Sequence, residues 1–97
     1  MNRHLQPTSN DMLIERARRL RRKGERRKAV VALREACLRD ERSAWTWTLY
    51  GVWLAELGRT GEAESALGQA LWLRRRAGDE ARARVTERIL TRLRSAA

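Results

Sequence analysis

Small and apolar residues recur every three or four positions along most of this chain, which is the spacing of one face of an α-helix. Two of these runs end at a glycine, Gly24 and Gly58, a residue suited to the left-handed conformation that closes a helix. A shift of 34 residues superposes the sequence on itself. The superposed pairs are Leu13 and Trp47, Ala17 and Gly51, Leu20 and Leu54, Gly24 and Gly58, Ala29 and Ala63, Leu33 and Leu67, and Ala36 and Ala70. The pattern therefore predicts two copies of one helical hairpin.

The second copy carries a specific order of residue types: an aromatic, a large apolar residue followed by Gly, another large apolar residue, an Ala, a bulky residue and a final Ala. The residues are Trp47, Tyr50, Gly51, Leu54, Ala63, Leu67 and Ala70. In this order and spacing the chain resembles the tetratricopeptide repeat (TPR) family. The resemblance implies an all-α fold, a short right-handed superhelix of TPR-like helical hairpins with about five helices. Arg16 and Arg75 depart from the family, because a large apolar residue and a proline are usual there, so the first unit is degenerate and the helix ending near Arg76 runs long.

The repeat divides the chain into four segments. They are an N-terminal tail (1–9), a first unit (10–43), a second unit (44–77) and a capping helix (78–97). In the capping helix Val85, Ile89 and Leu93 recur every four residues and predict its apolar stripe. Ser43 and Thr60 are the predicted N-caps of the helices that follow them.

In the family, the first helix of each unit lines a concave groove. A helical wheel assigns to this groove the residues Ile14, Arg18, Arg21, Arg22, Trp45, Thr48, Val52 and Arg82. An apolar floor with a basic flank suits an acidic or amphipathic segment of a partner protein. One subset of the family clamps the acidic carboxyl end of chaperones, but of the corresponding positions here only Arg18 is similar, so that specialised function is not expected.

The four tryptophans have different predicted roles. Trp47 belongs to the core by its register, whereas Trp45 is either a ligand anchor or a packed residue at the end of the stack. Trp53 and Trp72 are candidates for an oligomer or second interface, since a large exposed aromatic side chain tends to mark one. For Trp53 the alternative is packing against a neighbouring helix. Cys37 is expected to be a small buried apolar residue.

The net charge is +10, and residues 1–42 hold 13 basic and 6 acidic residues. Such an excess attracts acidic protein segments, nucleic acid or anionic lipid, although 20 of the 22 basic residues are Arg, which a GC-rich genome also produces. One Cys and one His cannot assemble a zinc site or a Cys–His nucleophile, so we expect no metal, no cofactor and no enzyme activity. No apolar run is long enough to cross a bilayer or resembles a secretory signal, which predicts a cytoplasmic protein without membrane insertion.

These observations predict a non-enzymatic protein-protein interaction module, an adaptor or small chaperone that holds a helical or extended segment of a partner. One alternative is a basic nucleic-acid-binding helical module, and a second is a structural homo-oligomer. Two units and a cap make a short solenoid, so an uncovered end is expected to associate with another copy or a larger partner.

Overall fold

The computed structural model describes residues 9–96, with side chains from Asn10 onwards. Over these residues the fold is all-α, with five helices and no strand. The helices are α1 (Ser9–Arg22), α2 (Arg26–Arg39), α3 (Ala44–Glu56), α4 (Thr60–Arg76) and α5 (Glu80–Ser95). The predicted all-α class and number of helices are confirmed. Of the predicted tail, residues 1–8 lie outside the described part, and Ser9 begins α1.

Three helices end in the same way, at a glycine with a positive φ. The φ angles are 82° at Gly24, 75° at Gly58 and 74° at Gly78. In each turn the next residue's N–H donates back to a carbonyl of the helix: Glu25 to Leu20 at 2.9 Å, Arg59 to Leu54 at 3.0 Å, and Asp79 to Arg74 at 2.9 Å. Glycine is favoured here because a Cβ is strained at such φ values. The first two turns were predicted, and the third closes the long helix α4.

The two predicted helix caps have different outcomes. Ser43 caps α3, because its Oγ accepts a hydrogen bond from the Thr46 N–H at 3.3 Å. Thr60 is not a cap, since α4 begins at Thr60 itself and the N-cap residue, Arg59, makes no capping hydrogen bond with its side chain.

Helices pack mainly on their neighbours in the chain, and small residues let them approach closely. Buried small residues of the repeat are Ala17, Ala29, Ala36, Gly51, Ala63 and Ala70, as predicted. At the closest approach, a Cβ on Gly51 would lie 2.7 Å from Cγ of Leu67. The resulting body is flat, with extents of 46 × 35 × 18 Å.

The core-facing stripes of α1 and α5 differ from the prediction. On α1 the buried residues are Ile14 and Ala17, whereas Leu13 and Leu20 are half-buried and pack against the edge of the core. On α5 the buried residues are Ala83, Thr86 and Leu90, whereas Val85 is 51% exposed. In both helices the buried face is therefore rotated by about one residue from the predicted stripe, from Leu13 to Ile14 on α1 and from Ile89 to Leu90 on α5.

Candidate binding groove

Helix α3 organises the candidate site. It packs between α2 and α4, so two of its sides are covered, in keeping with a sequence that is apolar almost all round. Trp45, Leu49 and Trp53, spaced four residues apart, form one stripe along the helix. Two clefts open along this stripe, one toward α1 and one toward α5. We refer to the two clefts together as the groove.

The first cleft, which we call the arginine cleft, has a volume of about 500 Å³. Its lining residues are Arg18, Arg21, Arg22, Arg26, Leu49 and Trp53. Three of the four arginines come from the end of α1 and one from the start of α2. The cleft therefore combines a concentrated positive charge with a floor of one aliphatic and one aromatic side chain.

Arg21 is held in place by two contacts with α3. Its Nη2 donates to both carboxylate oxygens of Glu56, at 2.6 and 2.7 Å. Its guanidinium carbon lies 4.7 Å from the ring centroid of Trp53, which is a cation–π distance. These contacts join α1 to α3 and cover the indole of Trp53, which is 6% exposed.

The other arginines of this cleft are less constrained. Arg18 and Arg22 both approach Glu15, at 3.9 and 3.7 Å, and their side chains are 44% and 64% exposed. Exposed ion pairs at such distances contribute little, about 0 to 1 kcal/mol. Arg26 has no ion pair within the described residues. Three guanidinium groups are thus available to a negatively charged ligand.

The second cleft, which we call the Trp45 cleft, has a volume of about 390 Å³. Residues from α3, α4, α5 and their connections line it: Arg42, Ala44, Trp45, Leu73, Arg74, Ala77, Asp79 and Arg82. Trp45 is 52% exposed and forms an apolar wall. Asp79 caps α5 by accepting from the Arg82 N–H at 3.2 Å, and its other oxygen accepts from Arg82 Nη1 at 3.0 Å. These hydrogen bonds from Arg82 hold the pKa of Asp79 below its ordinary value.

Arg74 is a buried cation at the edge of this cleft. It is 9% exposed, and its Nη1 donates to Thr86 Oγ1 at 2.8 Å and, more weakly, to the Arg82 carbonyl at 3.5 Å. No carboxylate of the described residues lies within ion-pairing distance of it. Burial lowers the pKa of Arg74, and the field of Asp79 raises it. An arginine nevertheless stays protonated in proteins, so this is a buried positive charge.

Five of the eight predicted groove residues line one of the two clefts. Arg18, Arg21 and Arg22 meet in the arginine cleft, and Trp45 and Arg82 meet in the Trp45 cleft. Thr48 and Val52 line neither cleft: both are half-buried, the Thr48 hydroxyl donates to the Ala44 carbonyl at 2.8 Å, and Val52 packs against the core.

Ile14 and Trp53 need correction. Ile14 was predicted on the groove but is 9% exposed, because α1 is rotated so that the line of Ile14 and Ala17 faces inward. Trp53 was a candidate for an exposed second interface, and that prediction is wrong because Arg21 and the core cover its ring. Its alternative, packing against a neighbouring helix, is confirmed.

The other predictions for aromatic and sulfur-containing residues stand as follows. Trp72 is exposed, at 53%, and Arg76 lies over its ring with the guanidinium carbon 5.0 Å from the centroid. Its interface role stays a prediction. Trp47 is half-buried against the core, with its indole N–H donating to the Glu41 carbonyl at 2.9 Å. Cys37 is buried as predicted, and burial raises the pKa of its thiol to about 12.

Sequence reasoning missed Leu49, Arg26, Leu73 and Arg74 as cleft residues. A signal for Leu49 was present, because it stands midway between Trp45 and Trp53 at helical spacing. No comparable signal marks Arg74, whose position depends on how α5 packs against the end of α4.

No group of three or more His, Cys, Asp or Glu side chains between residues 9 and 96 is placed to hold a metal ion. Within the same part of the chain, no helix is both long and apolar enough to span a bilayer. Neither a protein-family model nor a curated protein matches this chain.

Proposed function

We propose that this chain is a non-enzymatic protein-protein interaction module, an adaptor or small chaperone of TPR type. Its groove would hold a helical or extended segment of a partner that combines acidic and apolar side chains. The observation that carries the proposal is the stripe of Trp45, Leu49 and Trp53, along which two clefts open with arginines on their flanks. An aromatic wall beside available guanidinium groups is typical of protein-binding surfaces.

Support for the TPR assignment comes from the 34-residue register. The equivalent residues Ala29 and Ala63, Leu33 and Leu67, and Ala36 and Ala70 are all fully buried. Equivalent glycines close the first helix of each unit. A helical hairpin repeated in sequence and in burial is the basis of TPR-like solenoids.

The charge of the arginine cleft defines the partner's chemistry. Arg18 and Arg22 pair only with the carboxylate of Glu15 at long distance, and Arg26 has no ion pair among the described residues, so an acidic side chain of the partner would gain contacts without displacing a strong ion pair. Leu49 beside them would contact an apolar side chain. The partner is therefore expected to place an apolar residue one or two positions from an acidic one.

The test is a selection of random peptides on the immobilised chain, followed by anisotropy measurements with the enriched peptide. We expect acidic and apolar residues to be enriched together. Replacing Arg18 and Arg22 by Gln should weaken binding about tenfold or more and reduce its salt dependence. Gln is chosen because Glu would repel Glu15.

The matched control replaces Arg27 and Arg34 by Gln, an equal charge change at two exposed residues of α2 that line neither cleft. Trp45→Ala should instead raise the dissociation rate, because truncating an aromatic anchor commonly costs about 2 kcal/mol. If the α2 variant weakens binding as much as the groove variant, the proposal fails and bulk charge is the cause.

The alternative of nucleic-acid binding is tested in parallel with a labelled single-stranded oligonucleotide. Under the proposal, this binding should be weak and should fall steeply between about 50 and 200 mM salt. Tight binding at the higher salt concentration would favour the nucleic-acid-binding alternative over the adaptor.

A further inference from the structure

From the surroundings of Arg74 we infer that the Trp45 cleft is a carboxylate-binding subsite, with Arg74 as its cation and Trp45 as its apolar wall. The inference rests on the proposed function, because it names the part of the groove that anchors an acidic group of the partner.

Arg74 has hydrogen-bonding capacity left over. A guanidinium carries five N–H donors, and the two observed bonds of Arg74 both leave from Nη1. Within the described residues, no bond is made by Nε or Nη2. The described residues contain no side-chain nitrogen or oxygen that is both sealed from solvent and without a partner, so Nε and Nη2 of Arg74 each keep some contact with solvent. They form the edge of the guanidinium that binds a carboxylate through two parallel hydrogen bonds.

The charge of Arg74 also lacks an ion-pair partner among the described residues, and only the more distant field of Asp79 partly offsets it. A buried cation without a paired anion is unfavourable, because most of its hydration has been lost. Asp79 lines the same cleft, but both its oxygens are already engaged by Arg82. Three arginines, Arg42, Arg74 and Arg82, line the cleft together with this single carboxylate, so the cleft has an excess of positive charge for an incoming anion.

The apolar residues that line the cleft determine which chemical group can bind beside the carboxylate. Trp45, Leu73 and Ala77 line the cleft beside Arg74. A carboxylate carried next to an aliphatic group would contact this wall while it pairs with Arg74. Two sources of such a group are a peptide C-terminus after an apolar residue and the side chain of Asp or Glu.

The experiment uses small probes and the indole N–H signal of Trp45 in ¹H–¹⁵N correlation spectra of the full chain. N-acetyl-leucine represents a C-terminus, N-acetyl-glutamic acid α-amide represents an acidic side chain, and N-acetyl-leucinamide lacks the carboxylate. We expect a saturable shift with at least one carboxylate probe and binding at least tenfold weaker for N-acetyl-leucinamide. The stronger carboxylate probe identifies the source.

Two variants assign the effect to Arg74. Arg74→Met should weaken the carboxylate probe at least tenfold, while Arg75→Met should leave its affinity unchanged. Arg75 is a matched control because it is the next residue of α4, carries the same charge, pairs with Glu87 and does not line this cleft. Thermal unfolding separates a binding role of Arg74 from a structural one. In a purely structural role, Arg74→Met would lower the melting temperature without changing the affinity for the probes.

Equal binding of the carboxylate and the amide, or equal weakening by Arg74→Met and Arg75→Met, would overturn the inference. If Arg74→Met does not fold, Arg74→Lys takes its place. Lysine keeps the charge but cannot form two parallel hydrogen bonds to a carboxylate, so we expect it to weaken binding of the carboxylate probe severalfold. If the selected peptide binds through Arg18 and Arg22 but the carboxylate probes do not bind, the proposed function stands and only this subsite is ruled out.

Discussion

The two repeat units are alike inside their hairpins and differ at their ends. Leu33 and Leu67, equivalent residues of α2 and α4, are both fully buried. However, α2 has 14 residues and ends at Arg39, whereas α4 has 17 and ends at Arg76. The 34-residue shift places Asp40, the C-cap of α2, opposite Arg74 in the last turn of α4.

The additional turn of α4 is what builds the Trp45 cleft. It carries Arg74 to the side of α5, next to Leu73, and Ala77 follows the turn directly. The first unit has no counterpart, because its chain has already left the helix and turned toward Ser43. The repeated positions thus determine packing, and the departure from the repeat supplies the buried cation.

The largest expected effect concerns two equivalent positions, Cys37 and Leu71. Cys37 is 1% exposed, whereas Leu71 is half-buried. Because burial raises the Cys37 pKa from 9.0 to about 12, the thiolate fraction at pH 8 falls by about three orders of magnitude. Iodoacetamide labelling, followed by mass spectrometry, should therefore be slower by about that factor in the folded than in the urea-unfolded chain. The double variant Cys37→Ala with Leu71→Cys moves the thiol to the half-buried position, and it should restore much of the labelling rate in the folded chain. Equal rates at the two positions would contradict the difference in burial.

The same thiol gives a stability effect with a defined sign. Its pKa is higher in the folded than in the unfolded chain, so the unfolded state loses the proton first as pH rises. The contribution of Cys37 is therefore complete below pH 9.0 and is lost as pH approaches about 12. Urea unfolding of the chain and of Cys37→Ala over this range measures the effect of the thiol, together with its small influence on the pKa of Tyr50.

A second comparison uses Leu54 and Leu20, which are equivalent in sequence but not in burial. Leu54 is fully buried, whereas Leu20 is half-buried against the edge of the core. Leu54→Ala should lower the free energy of unfolding by about 3 kcal/mol and Leu20→Ala by about 1 kcal/mol, because only the first leaves an enclosed cavity. Urea denaturation measures both. Similar losses would mean that the first unit is packed as fully as the second.

A third comparison concerns the helix crossing inside each unit, where Ala17 corresponds to Gly51. The first unit accommodates a Cβ at this position, but in the second a Cβ would lie 2.7 Å from Leu67 Cγ and 3.3 Å from the Ala63 carbonyl oxygen. Gly51→Ala should destabilise by about 1 to 2 kcal/mol, because overpacking outweighs the roughly 1 kcal/mol gain in helix propensity. A rise in melting temperature would show that Leu67 moves aside freely.

The smallest effect concerns the ion pair that links the units, Arg21 with Glu56. Both side chains are partly exposed, at 41% and 34%, so Glu56→Gln should reduce stability by only about 0.5 kcal/mol, and less in high salt. Glu62→Gln, which removes the pair with Arg59 inside the second unit, is the control. A much larger loss for Glu56→Gln would indicate that α1 depends on this pair for docking.

The fold was largely accessible to sequence reasoning, because small residues in a 34-residue register leave few ways to pack two hairpins. The orientation of single helices was harder to predict. Ile14 and Leu13 differ by about 100° around α1, and apolar content alone does not decide between neighbours. The arginine cleft could be predicted in part, because the end of α1 is rich in arginine. The burial of Arg74 in the Trp45 cleft could not be predicted, because a charged residue is expected on the surface and Arg74 is buried only by the packing of α5.

The order of the helices in space follows their order in the chain, and this has a kinetic consequence. Most contacts join helices adjacent in sequence, so few long loops must close before stabilising contacts form. Folding should be fast, and any one hairpin can serve as its starting point. Helix α3 packs on both α2 and α4, whereas α1 and α5 lie at the two ends of the described fold. Amide hydrogens of α3 should therefore exchange with solvent last, while opening begins at the outer helices.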